Sequence, residues 1–421
     1  MTTSTAIAEK FESIVGSANV CRVTTNDVVA GQQPEYVVSP GNDKELARVL
    51  LCANDAGIGV IPRGGGTKLD WGNPPKRAGI VLSTSRLNRV LEHAWADLTV
   101  TVEAGCTMQT LQDTLAQHGQ CLALDALWAE RATIGGVLST NDSGVLRLRF
   151  GSLRDLIIGV TLALPDGTLA TSGGKVVKNV AGYDLPKLAT GALGTLGVVT
   201  RAIFRVHPLC RDSLTLSFRA PSIEEMQGAI LAVQDSSLAH TALQIRCASG
   251  QPPEADILFE ATPAGLLAQK TKLQTILQGL ELRESERQRV WSAKQRLWDA
   301  ADPTSAIAKF SVLPNESADT IRELGKIAKL NSVEWQIVLQ ATGIGWLCMV
   351  GATSALKPAL EQFRCHLESN CGSLVLLRQT PGILAIDAWG SPGDAISVMR
   401  ALKQQLDPKA TLNPGRFVGG I

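Results

Sequence analysis

Glycine is concentrated in three blocks between residues 62 and 200: PRGGGTKLDWG (62–72), ATIGGVLSTNDSG (132–144) and GGKVVKNVAGYDLPKLATGALGTLGVVT (173–200). Consecutive glycines reach backbone conformations closed to other residues and let main chain approach a partner directly. The first block follows the apolar run GVI, so a strand is expected to run into a loop whose N–H groups surround one concavity. Such a nest suits a diphosphate, with Arg63 or Lys68 adding charge; the bland alternative is a tight solvent turn. On the diphosphate reading, an aspartate at Gly65 would set a carboxylate against the ligand. The block is not G-x-x-x-x-G-K-[ST], so a nucleotide-hydrolysing P-loop is unsupported.

In the second block Gly135 and Gly136 allow close backbone approach, and Ser139, Thr140, Asn141 and Ser143 place short hydrogen-bonding groups beside them. A flat, polar-edged ring met by main chain needs this arrangement, although an ordinary Gly/Ser/Asn loop has the same composition. In the third block Gly191, Gly194 and Gly197 recur every three residues. That is not G-x-G-x-x-G, and no acidic residue follows at the Rossmann distance, so a Rossmann site is not expected. Lys175, Lys178, Asn179 and Tyr183 precede this turn.

Short β-branched runs and helical segments mix in the first half without a steady βαβ alternation, which argues for an α+β fold. NDKELARVLLCANDAG (42–57) has helical spacing with Asn42 as N-cap, and TMQTLQDTLAQHG (107–119) is an amphipathic helix ending on glycine. IVLST (80–84), LTVTVEAG (98–105) and IIGVTLALPDGTL (157–169) read as strands. After HPLC (207–210) a β-α-β-β-α order with a closing strand appears twice, a split βαβ arrangement. The charged segment 281–300 between the two rounds reads as a helical segment that covers a surface. Residues 407–421 read as a loop-like tail, docked or disordered.

The 421 residues carry 40 Lys plus Arg against 39 Asp plus Glu, a formal net charge of +1, so there is no basic field to gather nucleic acid or anionic lipid. The nine cysteines form no CxxC pair and are expected to be buried thiols of a reducing compartment. The first sixteen residues lack a basic start and an apolar core, so no secretory signal is expected. From Trp335 to Leu356 no charge occurs, yet glutamines, threonines and two glycines interrupt the run. Two buried strands and a turn fit it better than a membrane span.

In order and spacing the three blocks, with FGSLRDLIIGVTLALPDG, resemble the FAD-binding domain of the vanillyl-alcohol oxidase and p-cresol methylhydroxylase superfamily over about residues 35–210. QRLWDA and the terminal LNPGRF are similar to the family of FAD-binding glycolate oxidase subunits. The resemblance implies an α+β, two-subdomain FAD-binding fold of the p-cresol methylhydroxylase type with a ferredoxin-like α+β cap. The expected division is an N-terminal segment 1–34, the FAD domain 35–210, the cap 211–405, and a tail 406–421 returning to the FAD domain. The implied cofactor set is Pro62, Arg63, Gly64, Gly65, Gly66, Thr67, Lys68, Trp71, Gly72, Thr133, Ile134, Gly135, Gly136, Ser139, Thr140, Asn141, Ser143, Gly144, Gly194, Gly197, Val198 and Val199. Within it, Arg63 to Thr67 would hold the pyrophosphate, and Val199 would lie on the adenosine side. No histidine follows the glycines of the first loop, so the FAD is expected to be non-covalent.

The family's HGDGN-H motif is missing, and the five histidines, His93, His118, His207, His240 and His366, are scattered. Oxidising a hydroxy acid needs a base, a cation for the carboxylate and a hydride acceptor. Tyr183, Lys178 and Arg416 are the candidates for the first two roles; no metal site is expected. By resemblance the chain is an FAD subunit of a glycolate (2-hydroxyacid) dehydrogenase, oxidising glycolate or relaying electrons. Its expected partners are a second FAD subunit and an iron–sulfur subunit. The expected location is cytoplasmic, at most peripheral to the inner membrane through those partners. The alternatives are a stand-alone FAD dehydrogenase for another small hydroxy acid or alcohol, and a non-catalytic assembly subunit with a vestigial flavin.

Overall fold

The computed structural model describes residues 3–175, 183–299, 301, 304–378 and 386–421. The chain divides into two units, one of residues 1–143, 151–209 and 392–421, the other of residues 144–150 and 210–391.

The first unit holds two main sheets. The smaller has the strand order Val20–Arg22, Tyr36–Val38, Ile80–Ser83, Val60–Arg63, antiparallel in its first pair and parallel in the other two. Helices Thr3–Val15 and Asp43–Asp55 belong to its hydrophobic core through Phe11, Leu46 and Leu50, which meet Val60, Ile80 and Leu82. Asn42 caps the second helix by accepting from the Glu45 N–H at 2.9 Å, as its sequence predicts. The helix Thr3–Val15 has no counterpart in the sequence reading. The larger sheet runs Val90–Ala94, Thr99–Glu103, Val198–Arg205, Ile157–Ala163, Leu169–Gly173, antiparallel throughout. All five residues of Thr99–Glu103 are buried, so the strand reads as a continuous run rather than an alternation.

The second unit is built on one eight-stranded antiparallel sheet. Its order is Arg283–Glu284, Ser213–Arg219, Glu254–Glu260, His240–Ala248, Glu334–Gln340, Ile344–Val350, Ser305–Ser311, Ser373–Arg378. Each half is a βαββαβ repeat, and the second strands of the two repeats pair, Gln244 opposite Gln340. Apolar residues alternate along the strands. In the first half Leu216, Phe218, Ile245 and Ile257 join a core with Met226 and Ile230 of helix Ile223–Gln234. In the second, Phe310 and Leu347 meet Leu324 of Ser317–Asn331 and Phe363 of Thr353–Ser369. The uncharged stretch from Trp335 forms a hairpin, its turn closed by the Gly343 N–H donating to the Gln340 carbonyl at 2.9 Å. Among the described residues no helix is long and apolar enough to cross a membrane.

Two expectations change. Segment 281–300 is not helical throughout: a two-residue edge strand, Arg283–Glu284, precedes helices Arg287–Trp291 and Ala293–Asp299. The strand forms because Ser217 and Leu216 of the neighbouring strand still offer an unpaired edge. Nor are the cysteines uniformly buried; Cys106 and Cys348 are, whereas Cys21, Cys210, Cys365 and Cys371 are exposed. Of the five histidines, His93 and His118 meet, their ring centroids 5.1 Å apart, with Trp95 stacked on His118.

Candidate functional site

The strand Val60–Arg63 delivers the three glycines to the wall of a cleft of about 680 Å³ in the first unit. Two of them are glycine because of what lies behind. A Cβ on Gly64 would collide with Thr133 Oγ1, and one on Gly65 with the carbonyl of Arg131. The loop therefore lies flush on residues 131–133. Its reversal comes at Gly66, whose φ of +70° L side chains rarely adopt.

Residues 131–133 lead into a short helix, Ile134–Thr140, where the sequence suggested only a loop. Gly135 and Gly136 in its first turn are poor helix formers, which hid it. A Cβ on Gly135 would press on Ala104 at 3.0 Å, whereas one on Gly136 would meet only Thr133 Oγ1, at 3.4 Å. The remaining walls are Leu193–Gly194, the entry to Val198–Arg205, Thr84, and the C-terminal Asn413 and Arg416. The tail reaches the cleft through backbone pairing: Val60 N–H donates to Thr411, and Asn413 N–H donates to Val60. Buried Lys403 fixes it further, donating to Thr195 O at 2.8 Å, Leu412 O at 3.0 Å and Asp407 Oδ2 at 2.6 Å.

The cations beside the cleft are already engaged. Arg63 pairs with Asp27 at 2.5 Å, and Lys68 lies 3.3 Å from Asp142, both partners of the second pair being buried. Lys68 also stands over the rings of Trp71 and Trp128. Burial pushes the Asp27 carboxyl up, but the hydrogen bonds from Arg63 and Thr24 outweigh it and leave it below the usual carboxylate value. Arg416 is 3% exposed, and burial, opposed only by Asp70, brings its guanidinium down to about 10. It donates to the carbonyls of Leu69, Trp71 and Asn73, closing the loop after the glycines.

Buried polar atoms without a partner show what the cleft is made to hold. Thr133 Oγ1 and Asn413 Oδ1, both of lining residues, are buried and make no hydrogen bond. Leaving such an atom unsatisfied costs about 1–3 kcal/mol. A ligand carrying hydroxyl and amide-like edges removes that cost, and the glycine walls let its flat ring and diphosphate come against main chain. These features fit FAD, whose binding here would fall to Gly64–Thr67, Thr133, Gly136 and Asn413.

Of the residues singled out in sequence, Pro62, Arg63, Gly64, Gly65, Gly66, Thr67, Lys68, Thr133, Gly135, Gly136, Ser139, Thr140, Gly194, Gly197, Val198, Val199 and Arg416 line the cleft. Trp71, Gly72, Ile134, Asn141, Ser143 and Gly144 do not. Ile134 is buried in the core, and Asn141 is the left-handed cap of the short helix. Gly144 belongs to the other unit. Tyr183 is 89% exposed, and Lys178 lies outside the described residues. Leu69, Thr84, Leu193 and Asn413 line the cleft unannounced. Of these Asn413 had a signal: it sits in the LNPGRF motif, from which only Arg416 was singled out.

Residues 34–173 match the family model described as FAD binding domain. The D-lactate dehydrogenase of Archaeoglobus fulgidus is 37% identical over 198 residues, 47% of this chain and 44% of that protein. Glycolate oxidase subunit GlcD of Bacillus subtilis is 36% identical over 183 residues, 44% of this chain and 39% of that protein. The match thus spans less than half the length of either relative. The mitochondrial D-2-hydroxyglutarate dehydrogenase of Bos taurus is 27% identical over 429 residues, 91% of this chain and 77% of that protein. Among solved structures, p-cresol methylhydroxylase with substrate bound superposes with a TM-score of 0.78 at 14% identity, covering 99% of this chain and 97% of that one. The chain therefore holds an FAD-binding domain within residues 34–173 and has the fold of the p-cresol methylhydroxylase-type flavoproteins.

Proposed function

We propose that this chain is an FAD-dependent dehydrogenase of small 2-hydroxy acids, the flavin subunit of a glycolate dehydrogenase that hands its electrons to an iron–sulfur partner. The observation that carries the reading is the glycine-walled cleft with Thr133 Oγ1 and Asn413 Oδ1 buried and unsatisfied. Relatives named for D-lactate, glycolate and D-2-hydroxyglutarate support the substrate class. Bound in the cleft, FAD supplies an acceptor for the hydride on the carbon bearing the hydroxyl. The chain's own residues then grip the diphosphate with the backbone of Gly64–Gly66, satisfy the ligand's polar edge, and keep the loop shut through Arg416.

For the hydroxyl proton we propose Tyr183 as the base, with Lys178 as a candidate cation for the carboxylate. A second reading, electron relay without substrate oxidation, is favoured by the missing HGDGN-H motif. Anaerobic addition of glycolate and D-lactate to the FAD-loaded chain decides between them. Bleaching by either acid without partners supports the dehydrogenase. A flavin that stays oxidised alone but is reduced within the assembled complex leaves only the relay.

A further inference from the structure

The first repeat of the second unit carries helices on one face of its sheet, where Leu216, Phe218, Ile245 and Ile257 are packed. The other face holds a small apolar cluster of Val145, Ala242 and Leu258, and beside it a polar stretch. Register places Arg219 and Arg246 opposite Glu254, and Ser217 and Gln244 opposite Asp256. These residues alternate with the apolar ones, so they share that second face.

Asp256 is completely buried and accepts from Ser217 Oγ at 2.7 Å, Gln244 Nε2 at 3.0 Å, and Arg246 through both Nε at 2.7 Å and Nη2 at 2.9 Å. Arg246 is thereby locked in a bidentate pair. Glu254 serves three guanidiniums at once: Arg283 at 2.8 Å, Arg246 at 3.3 Å and Arg219 at 3.7 Å. Two further arginines, Arg289 and Arg296 of the short helices, border the same cleft and make no ion pair among the described residues. Arg296 instead donates to the Arg289 carbonyl and to Ser292 Oγ at 2.6 Å.

Two adjoining hollows, of about 730 and 1050 Å³ with their open mouths, share Arg219, Arg246, Glu254 and Arg296. The acidic lining groups are Glu254, Glu284 and Glu286, with Asp256 beneath, and Glu284 is engaged by Lys270. Setting that pair aside, five arginines face three carboxylates. Burial depresses the Arg296 guanidinium first, and the like charges of Arg246 and Arg289 depress it further, against Asp256 and Asp299. Guanidiniums gathered against their mutual repulsion, with carboxylate-locked ones behind and ones that pair with no carboxylate among the described residues at the rim, form a receptor for oxyanions.

We propose that this arginine cleft is a second ligand site, binding a small multiply charged oxyanion, a di- or tricarboxylate or a phosphate compound, with Arg289 and Arg296 as its clamps. It is formed by the second unit alone and does not depend on the function proposed for the flavin cleft.

Isothermal titration calorimetry of the FAD-loaded chain at low salt, with citrate, pyrophosphate and inorganic phosphate as probes, tests the site. One-to-one binding of citrate or pyrophosphate is expected, and the better of the two names the ligand class. Arg289→Gln and Arg296→Gln should each weaken it about tenfold, the loss of one charged hydrogen bond. Flavin absorbance should not change in either variant. Glu286→Gln, which removes a carboxylate from the rim, should tighten binding, a gain that misfolding cannot imitate. No binding of any of the three anions overturns the proposal, including the outcome in which only an acidic protein surface is bound. So does binding indifferent to all three substitutions.

Discussion

Arg416 donates to the carbonyl of Trp71 at 2.9 Å, joining the C-terminal tail to the loop that follows the three glycines. The guanidinium is nearly inaccessible, and its other bonds run to the carbonyls of Leu69 and Asn73, so one side chain ties together three carbonyls of the loop. Arg416→Ala should therefore destabilise the chain by about 2–4 kcal/mol, since a large buried side chain and its three hydrogen bonds are lost together. Arg416→Lys should recover little, because an ammonium lacks the planar fork that spans the carbonyls. Urea unfolding of the two variants, with flavin content measured alongside, checks both statements.

Gly65 and Gly136 are both glycines of the cleft but fail differently. A side chain at 65 runs into the Arg131 carbonyl, so Gly65→Asp should cost stability with or without flavin. That replaces the simpler expectation that its carboxylate would oppose the diphosphate. At 136 a side chain meets only Thr133 Oγ1 at ordinary contact distance. Gly136→Asp should leave the melting temperature of the flavin-free chain within a few degrees, losing about 0.5–1 kcal/mol or less to helix propensity. It should nevertheless give protein that stays colourless after incubation with FAD.

Thr133 and Gly64 share one small volume, the hydroxyl oxygen filling the place a Cβ would take. Since that oxygen has no partner, Thr133→Val should be neutral or slightly stabilising without flavin, an isosteric change that removes an unsatisfied buried atom. With flavin the sign reverses: affinity should fall about tenfold if the hydroxyl bonds the ligand. Fluorescence titration with FAD and thermal melts of both forms measure the two effects. Equal affinity in the variant would remove Thr133 from the binding set.

Much of this was visible in the residues, for identifiable reasons. Ser213–Arg219 alternates apolar and polar along its length, the other long strands of the second unit are short apolar runs between turns, and the two repeats follow the same order, so these strands were legible. The loop at Gly64–Gly66 was legible because three adjacent glycines have few other uses. What escaped depends on distant partners. Asn413 and Thr84 reach the cleft only because the tail pairs with Val60 and because Thr84 N–H donates to the Arg63 carbonyl. Arg63 and Lys68 look like anion ligands in a linear reading. Their pairing with Asp27 and Asp142, 36 and 74 positions away, shows them to be largely balanced already.

The Arg63–Asp27 pair makes flavin retention dependent on acidity. Asp27 also accepts from the Thr24 N–H and hydroxyl, both at 2.7 Å, so its charged form anchors the turn as well as the arginine. Its folded pKa lies below the 3.8 of the free side chain. The sign follows: the unfolded chain takes up the proton first, so the pair's contribution is fully present above about pH 4 and fades as pH falls through the folded value. At pH 7 the native chain should hold its flavin through this contact, and on acidification it should release it only as pH falls through the folded value, below 3.8, where Arg63 loses its anchor. Asp27→Asn removes the titrating group but keeps the shape. The variant should bind FAD more weakly at pH 7, and the difference from the parent should shrink as pH falls through the folded value. Flavin fluorescence of both proteins followed from pH 7 to pH 2 tests this, and a gap that does not narrow toward the acid end would show that the asparagine disturbs the turn by some other route.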